Sequence, residues 1–279
     1  MVKNKIGNNS TGRVSYLFGG INVMFNRIYS DFLMPSRLEE YEAIIVQAKK
    51  MGYRIMTVRD YYEILRTTGI GNEKILLNRH DVDSDIKTAK AFFEIETKHK
   101  VKATYYFRLS TLNEKFCREI EKFGSEASYH FEEIASFCKK KHIKTKAQAE
   151  ANMELIREIF CNNFRMVEKV IGKKITTVCS HGDFVNRKLS LINNEITKSS
   201  LLRKELGINC ETYDKDLINS FDIYVSDRKY PEFFSPSHVL DYIGKVKKIY
   251  LLTHPGNWRV NLRENIFNNL SRFMEECLW

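Results

Sequence analysis

The chain has 279 residues, 43% of them hydrophobic and 29% charged, proportions that support a large core and exclude wholesale disorder. Its formal net charge of +10 suits an anionic partner: nucleic acid, a membrane surface or a phosphorylated sugar. Only Lys139, Lys140 and Lys141 form a dense basic run, however, and no Arg-rich helix or aromatic RNA-binding motif accompanies them, so no nucleic-acid partner is expected.

Residues 1–13 are polar and rich in Gly and Asn, and are expected to be loose. Ser36 followed by Glu39 three positions later predicts a helix N-terminus, with the helix running to about Lys50 and ending at Gly52. An extended run over 53–58 and a helix over 60–66 follow. From residue 75 a rhythm sets in. Short β-rich runs lie at 75–83, 103–108, 126–132, 175–181, 208–213, 223–227 and 249–254. Helix-compatible patterns fill most of the gaps, at 87–98, 112–123, 146–171 and 191–206. Strands alternating with helices predict parallel pairing and an α/β architecture. Seven such runs suggest a (β/α) barrel short of the usual eight strands, although periodicity alone leaves an open sheet possible. Residues 1–70 are expected to form an N-terminal α/β extension packed on a barrel of residues 71–279, one structural domain overall.

The six cysteines are widely spaced with no C-x-x-C pair, which argues against a disulfide scaffold or zinc ribbon and for reduced thiols in a cytoplasmic protein. The first thirty residues offer no continuous apolar signal region, and nothing approaches 18 consecutive apolar residues, so no membrane-spanning helix is expected.

Several strand ends carry groups that bind metal or move protons: Asp81 and Asp83, His130 and Glu132, His181, Asp227, and His254. In a parallel barrel all strand C-termini lie on one face, so these residues would converge. With a period of two, Arg79, Asp81 and Asp83 share one face of their strand while His80 and Val82 point the other way. Two carboxylates so placed repel unless a cation lies between them or one keeps a proton; Arg79 is placed to hold one ionised. The plainer alternative is a polar strand end with Asp83 or Ser84 capping the next helix. Gly182 after His181 permits close approach of backbone to a ligand, or is simply a turn. His254, followed by a Pro-Gly turn and Trp258, would set an imidazole beside an aromatic platform on which a sugar could stack; a buried Trp is the alternative. Asp227 either orients a catalytic partner or caps a turn.

Arg79-His80-Asp81-Val82-Asp83, Ala103 to Arg108, Ser128 to Glu132, Ser180-His181-Gly182, Ser226-Asp227 and Leu251 to Trp258 occur in order. Together they resemble the motifs of the polysaccharide deacetylase superfamily (carbohydrate esterase family four), in a branch associated with surface-glycan biosynthesis. The resemblance covers about 75–258. It implies a distorted seven-stranded (β/α) barrel and metal-dependent removal of an N-acetyl group from a small-molecule or carrier-linked amino sugar. Carried over by position, Asp81 resembles the general base, Asp83 a metal ligand, His130 the first metal-binding His and His254 the general acid. Arg79 and Asp227 resemble the residues that tune base and acid. Tyr106, Ser180 and Trp258 fall on the substrate side.

Two departures stand out. The family's second metal-binding His would fall at Ile134, which leaves Glu132, Glu133 and His181 as candidates in its place, since carboxylate and imidazole both suit zinc, the expected divalent metal. The Arg-rich third motif is not recognisable. The alternatives to N-deacetylation are a degenerate barrel that binds a glycan or partner enzyme without turnover, and hydrolysis of another C–N bond by the same groups. Oligomeric state stays open.

Overall fold

Apolar runs too short to be helices, each flanked by turn residues, satisfy their backbone groups by pairing with one another. The computed structural model, which describes Asn22 and residues 24–279, joins nine strands into one sheet: β1 (Arg54–Met56), β2 (Ile75–Val82), β3 (Thr104–Phe107), β4 (Glu126–Phe131), β5 (Thr177–Ser180), β6 (Cys210–Glu211), β7 (Ile223–Asp227), β8 (Phe234–Ser235) and β9 (Lys248–Thr253). The segment 1–13 lies outside the described residues. Strand order is β6-β5-β4-β3-β2-β9-β7-β8, with β1 attached to β2; every pairing is parallel except β7 with β8. The sheet curls into a half-barrel whose end strands, β6 and β8, do not pair with each other among the described residues.

The seven expected runs are β2 to β7 and β9, and β8 is an addition the pattern did not indicate. β2, β3 and β4 are buried along their whole length, because helices cover one face and the curled sheet closes over the other. Helices cross between the parallel strands. Ile86–His99 is capped by Asp85, which accepts from Thr88 N, so neither Asp83 nor Ser84 takes that role. The expected helix over 146–171 is two, Lys146–Ala151 and Met153–Ile171, divided at Asn152. That over 191–206 is a 3₁₀ turn (Asn193–Lys198) and a helix (Ser200–Leu206) capped by Ser199. Helices Glu133–Lys141 and Leu262–Leu278 were not foreseen.

The N-terminal part shares the core. Helix Leu38–Lys50 buries Tyr41, Ile44, Ile45 and Ala48 in a cluster with Phe92, Leu251 and Trp258. The Arg37 guanidinium lies 3.9 Å from the Phe233 ring and 4.6 Å from that of Trp258. All parallel strands end on one rim, and the polar residues gather there.

Candidate active site

Alternation along β2 sets the first half of the site. Arg79 and Asp81 share a face as expected, and the guanidinium clamps the carboxylate through Nε–Oδ1 at 2.8 Å and Nη2–Oδ2 at 2.7 Å. This is a fully buried bidentate pair. Around Arg79 stand Tyr106, Tyr213 and Tyr250, with Arg79 Nη1 donating to the Tyr250 hydroxyl and Nη2 2.7 Å from Cys179 Sγ. Burial would raise the Asp81 pKa, but Arg79 overrides it and holds the carboxylate below its usual 3.8. Asp81 is therefore held ionised.

One turn of chain further, Asp83 meets two imidazoles. Its Oδ1 lies 3.2 Å from His130 Nε2 at the end of β4 and 3.2 Å from His181 Nδ1 just beyond β5, and the two nitrogens are 3.1 Å apart. β4 and β5 are neighbours in register Phe131↔Ser180, which brings the two histidines together. His181 is seated by its own N–H to Phe131 O and by Asn193 donating to its carbonyl. His130 Nδ1 faces the Cys179 carbonyl at 3.1 Å, which directs its Nε2 lone pair at Asp83.

Asp83 Oδ1 is buried and has no hydrogen-bond donor. A buried carboxylate oxygen left in this state is costly unless a cation meets it. The near-equilateral triangle of donors is close to the spacing of about 3.4 Å that tetrahedral bonds of about 2.1 Å would set. One carboxylate and two imidazoles thus fit a divalent metal in both chemistry and spacing. Asp81, His130 and Cys179 form a second possible cluster. It fits less well: Arg79 already occupies Asp81, and burial raises the Cys179 pKa, keeping its thiol protonated.

Glu132 is not among these atoms. Its carboxylate takes three hydrogen bonds from Arg108, at 2.7 to 2.9 Å, while Arg108 Nη1 reaches the Asp83 carbonyl. Glu133 points behind the sheet to Tyr129 and Asn163. Ile134 is fully buried in the main apolar cluster.

The other half of the site comes from β7 and β9. Asp227 accepts from His254 Nδ1 (2.6 Å), His254 N (2.8 Å) and Trp258 Nε1 (2.8 Å). Burial would lower the His254 pKa, yet Asp227 outweighs it and raises it to about 9. His254 is therefore held cationic at neutral pH. Trp258 is no sugar platform. It is fully buried, packed edge-on against Tyr41, Phe92 and Phe234, and its indole N–H fixes Asp227. Tyr106 is also fully buried, its hydroxyl 2.8 Å from Thr177 Oγ1, and so supports Arg79 from within rather than meeting a ligand. Ser180 is half-buried and bonded to Glu211.

Asp81, Asp83, His181 and His254 open into one cleft of about 680 Å³ with Arg108, Arg187 and Lys229 on its walls. The far wall carries Asn26 and Arg27 of an N-terminal helix, residues 24–28 running on into the turn Tyr29–Leu33, and Asn265 and Asn269 of helix Leu262–Leu278. Sequence motifs gave no sign of that wall, nor of the Arg108–Glu132 clamp. Cys179 carries a weak signal: it lies two positions before His181, where strand alternation places both on one face.

No protein-family model matches the sequence, and no curated protein matches it. Among solved structures, BA3943, a CE4 family pseudoenzyme from Bacillus anthracis, is similar over 75% of this chain at 14% identity and a TM-score of 0.40. A mutant of that protein with restored enzymatic activity gives 15% and 0.41. The chain spans less than two thirds of the length of either, 63% and 65%. The Streptococcus pyogenes deacetylase PplD, in complex with acetate, is similar over 79% of this chain and 84% of its own at 12% identity and a TM-score of 0.40.

Proposed function

We propose that this chain is a metal-dependent hydrolase that removes an N-acetyl group from an amino sugar. The observation that carries the reading is a pair of titratable groups driven apart in one cleft, an ionised Asp81 and a cationic His254, beside three donors that fit one cation. Asp83, His130 and His181 would hold the metal. Bound there, a divalent ion polarises an amide carbonyl and makes water more acidic. Asp81, oriented by Arg79, takes the proton of the attacking water. His254, held by Asp227, gives a proton to the departing amine. Arg187, on the wall of the cleft and in no ion pair among the described residues, supplies positive charge for a substrate carried on a phosphate, as nucleotide- or lipid-linked amino sugars are; Arg108 and Lys229 beside it are already paired with Glu132 and Asp31.

The test is acetate release from nucleotide- and lipid-linked N-acetyl amino sugars with added divalent metals, using Asp81→Asn as the inactive control. No release with any metal would count against hydrolysis. A non-catalytic barrel is favoured by one observation, Ile134 where the resembled motif has its second His. It predicts that protein purified without a His tag lacks stoichiometric metal, whereas the hydrolase reading predicts metal that Asp83→Ala abolishes.

A further inference from the structure

The two helices that wall the cleft are built inside out. Helix Leu262–Leu278 has no buried residue. Its large apolar side chains Ile266, Phe267, Leu270, Phe273 and Met274 recur at helical spacing and lie 48–67% exposed. Its polar residues turn inward instead: Asn265 donates to the Asp31 carbonyl, Asn269 to the Asp31 carboxylate and Arg27 to Asn269. The N-terminal helix matches it, with Met24, Phe25 and Ile28 exposed and Asn26 and Arg27 on the cleft. Polar pairing between the two segments therefore leaves both apolar faces turned outward. Isolated exposed apolar residues are ordinary; a stripe of this kind on two adjacent helices marks a docking surface.

Charge decides between occupants. Of the acidic residues of the helix, Glu275 pairs with Lys139 and Glu276 with Arg272, and Glu264 in its first turn stands against Arg263 alone. Lys188 and Arg263 are exposed and make no ion pair among the described residues. Residues 1–23, which lead into the N-terminal helix, contain Lys3, Lys5 and Arg13 and no acidic residue, and the chain as a whole carries +10. A second copy would bring the same positive rim against itself. An anionic lipid surface complements it, and an amphipathic helix with cations at its margin is the kind that lies in a bilayer interface. No helix among the described residues is long and apolar enough to cross a membrane.

We infer that the outward faces of these two helices dock the protein on an anionic bilayer surface. The inference stands apart from the hydrolase reading, since docking requires neither metal nor turnover. Co-sedimentation of the full chain with vesicles tests it. The wild type is expected to bind phosphatidylcholine vesicles containing about one-third phosphatidylglycerol at least tenfold more tightly than phosphatidylcholine alone, as about 1 kcal/mol per basic residue implies. The double variant F267E/F273E is expected to lose about tenfold or more of that binding, and K188E/R263E to lose the preference for anionic lipid. All four positions are exposed, and circular dichroism melting verifies that both variants fold. The proposal is overturned if the wild type stays in the supernatant, or if F267E/F273E still binds, which would move the contact to other residues. It is equally overturned if light scattering without lipid shows a dimer that F267E/F273E dissolves.

Discussion

Two side chains of the cleft owe their chemistry to one partner each. Arg79 keeps Asp81 ionised against burial, and Asp227 keeps His254 protonated to about pH 9. For a general acid the protonated form is the active one, so kcat/KM is expected to fall as pH rises through about 9. Asp227→Asn removes the charge that raises His254 while leaving the burial that lowers it. The alkaline limb should then move down by about two pH units, toward the ordinary imidazole value, so that the variant loses activity at pH 8 but retains more of it at pH 6. A pH–rate profile measures this directly. An alkaline limb that stays at pH 9 in the variant would show that His254 is not the acid.

At the scale of elements, β2 does two jobs with one alternation. Arg79 and Asp81 serve the cleft, while His80, facing the helices, joins a buried polar network. Glu96 accepts there from Tyr41 (2.5 Å), Tyr105 (2.6 Å) and Asn78 (3.1 Å), with His80 Nε2 at 2.6 Å. All of these groups are out of water. Glu96→Ala would leave several polar atoms orphaned at once and is expected to cost about 3 kcal/mol or more in urea unfolding. A loss under about 1 kcal/mol would mean that water enters and satisfies them.

The division of β2 into two faces was legible beforehand because a strand's period of two needs no tertiary information. That His181, and neither Glu132 nor Glu133, lies beside Asp83 and His130 was not. It depends on the β4–β5 register and on Arg108, which removes Glu132 by pairing with it. Trp258 misleads for a similar reason. A Trp after a Pro-Gly turn looks the same in sequence whether it faces solvent or core, and only the packing of Tyr41, Phe92 and Phe234 decides. The outward stripe of Leu262–Leu278 has a helical period that sequence displays. Which side it turns is set by Asn265 reaching a carbonyl 234 positions away.

Across the whole molecule the three proposed metal ligands come from the end of β2, β4 and the segment after β5, Asp83 being the residue that follows β2, so one ion would tie together strands that are far apart in sequence. An ion that binds only the folded arrangement stabilises it by mass action, about 2.7 kcal/mol at a free concentration one hundred times Kd. For a domain of this size that corresponds to a rise in Tm of roughly 5 °C or more. Melting the chelator-treated protein with and without added zinc should show this rise, and Asp83→Ala should abolish it while folding otherwise normally, because Asp83 Oδ1 accepts no hydrogen bond among the described residues. Six thiols complicate the measurement, since zinc can also bind cysteine in the unfolded chain, which would lower the apparent rise in wild type and variant alike. The difference between the two proteins is therefore the quantity to read. A zinc-dependent rise that persists in Asp83→Ala would place the ion elsewhere, and equal melting of the wild type with and without zinc would leave the triangle of Asp83, His130 and His181 without its proposed occupant.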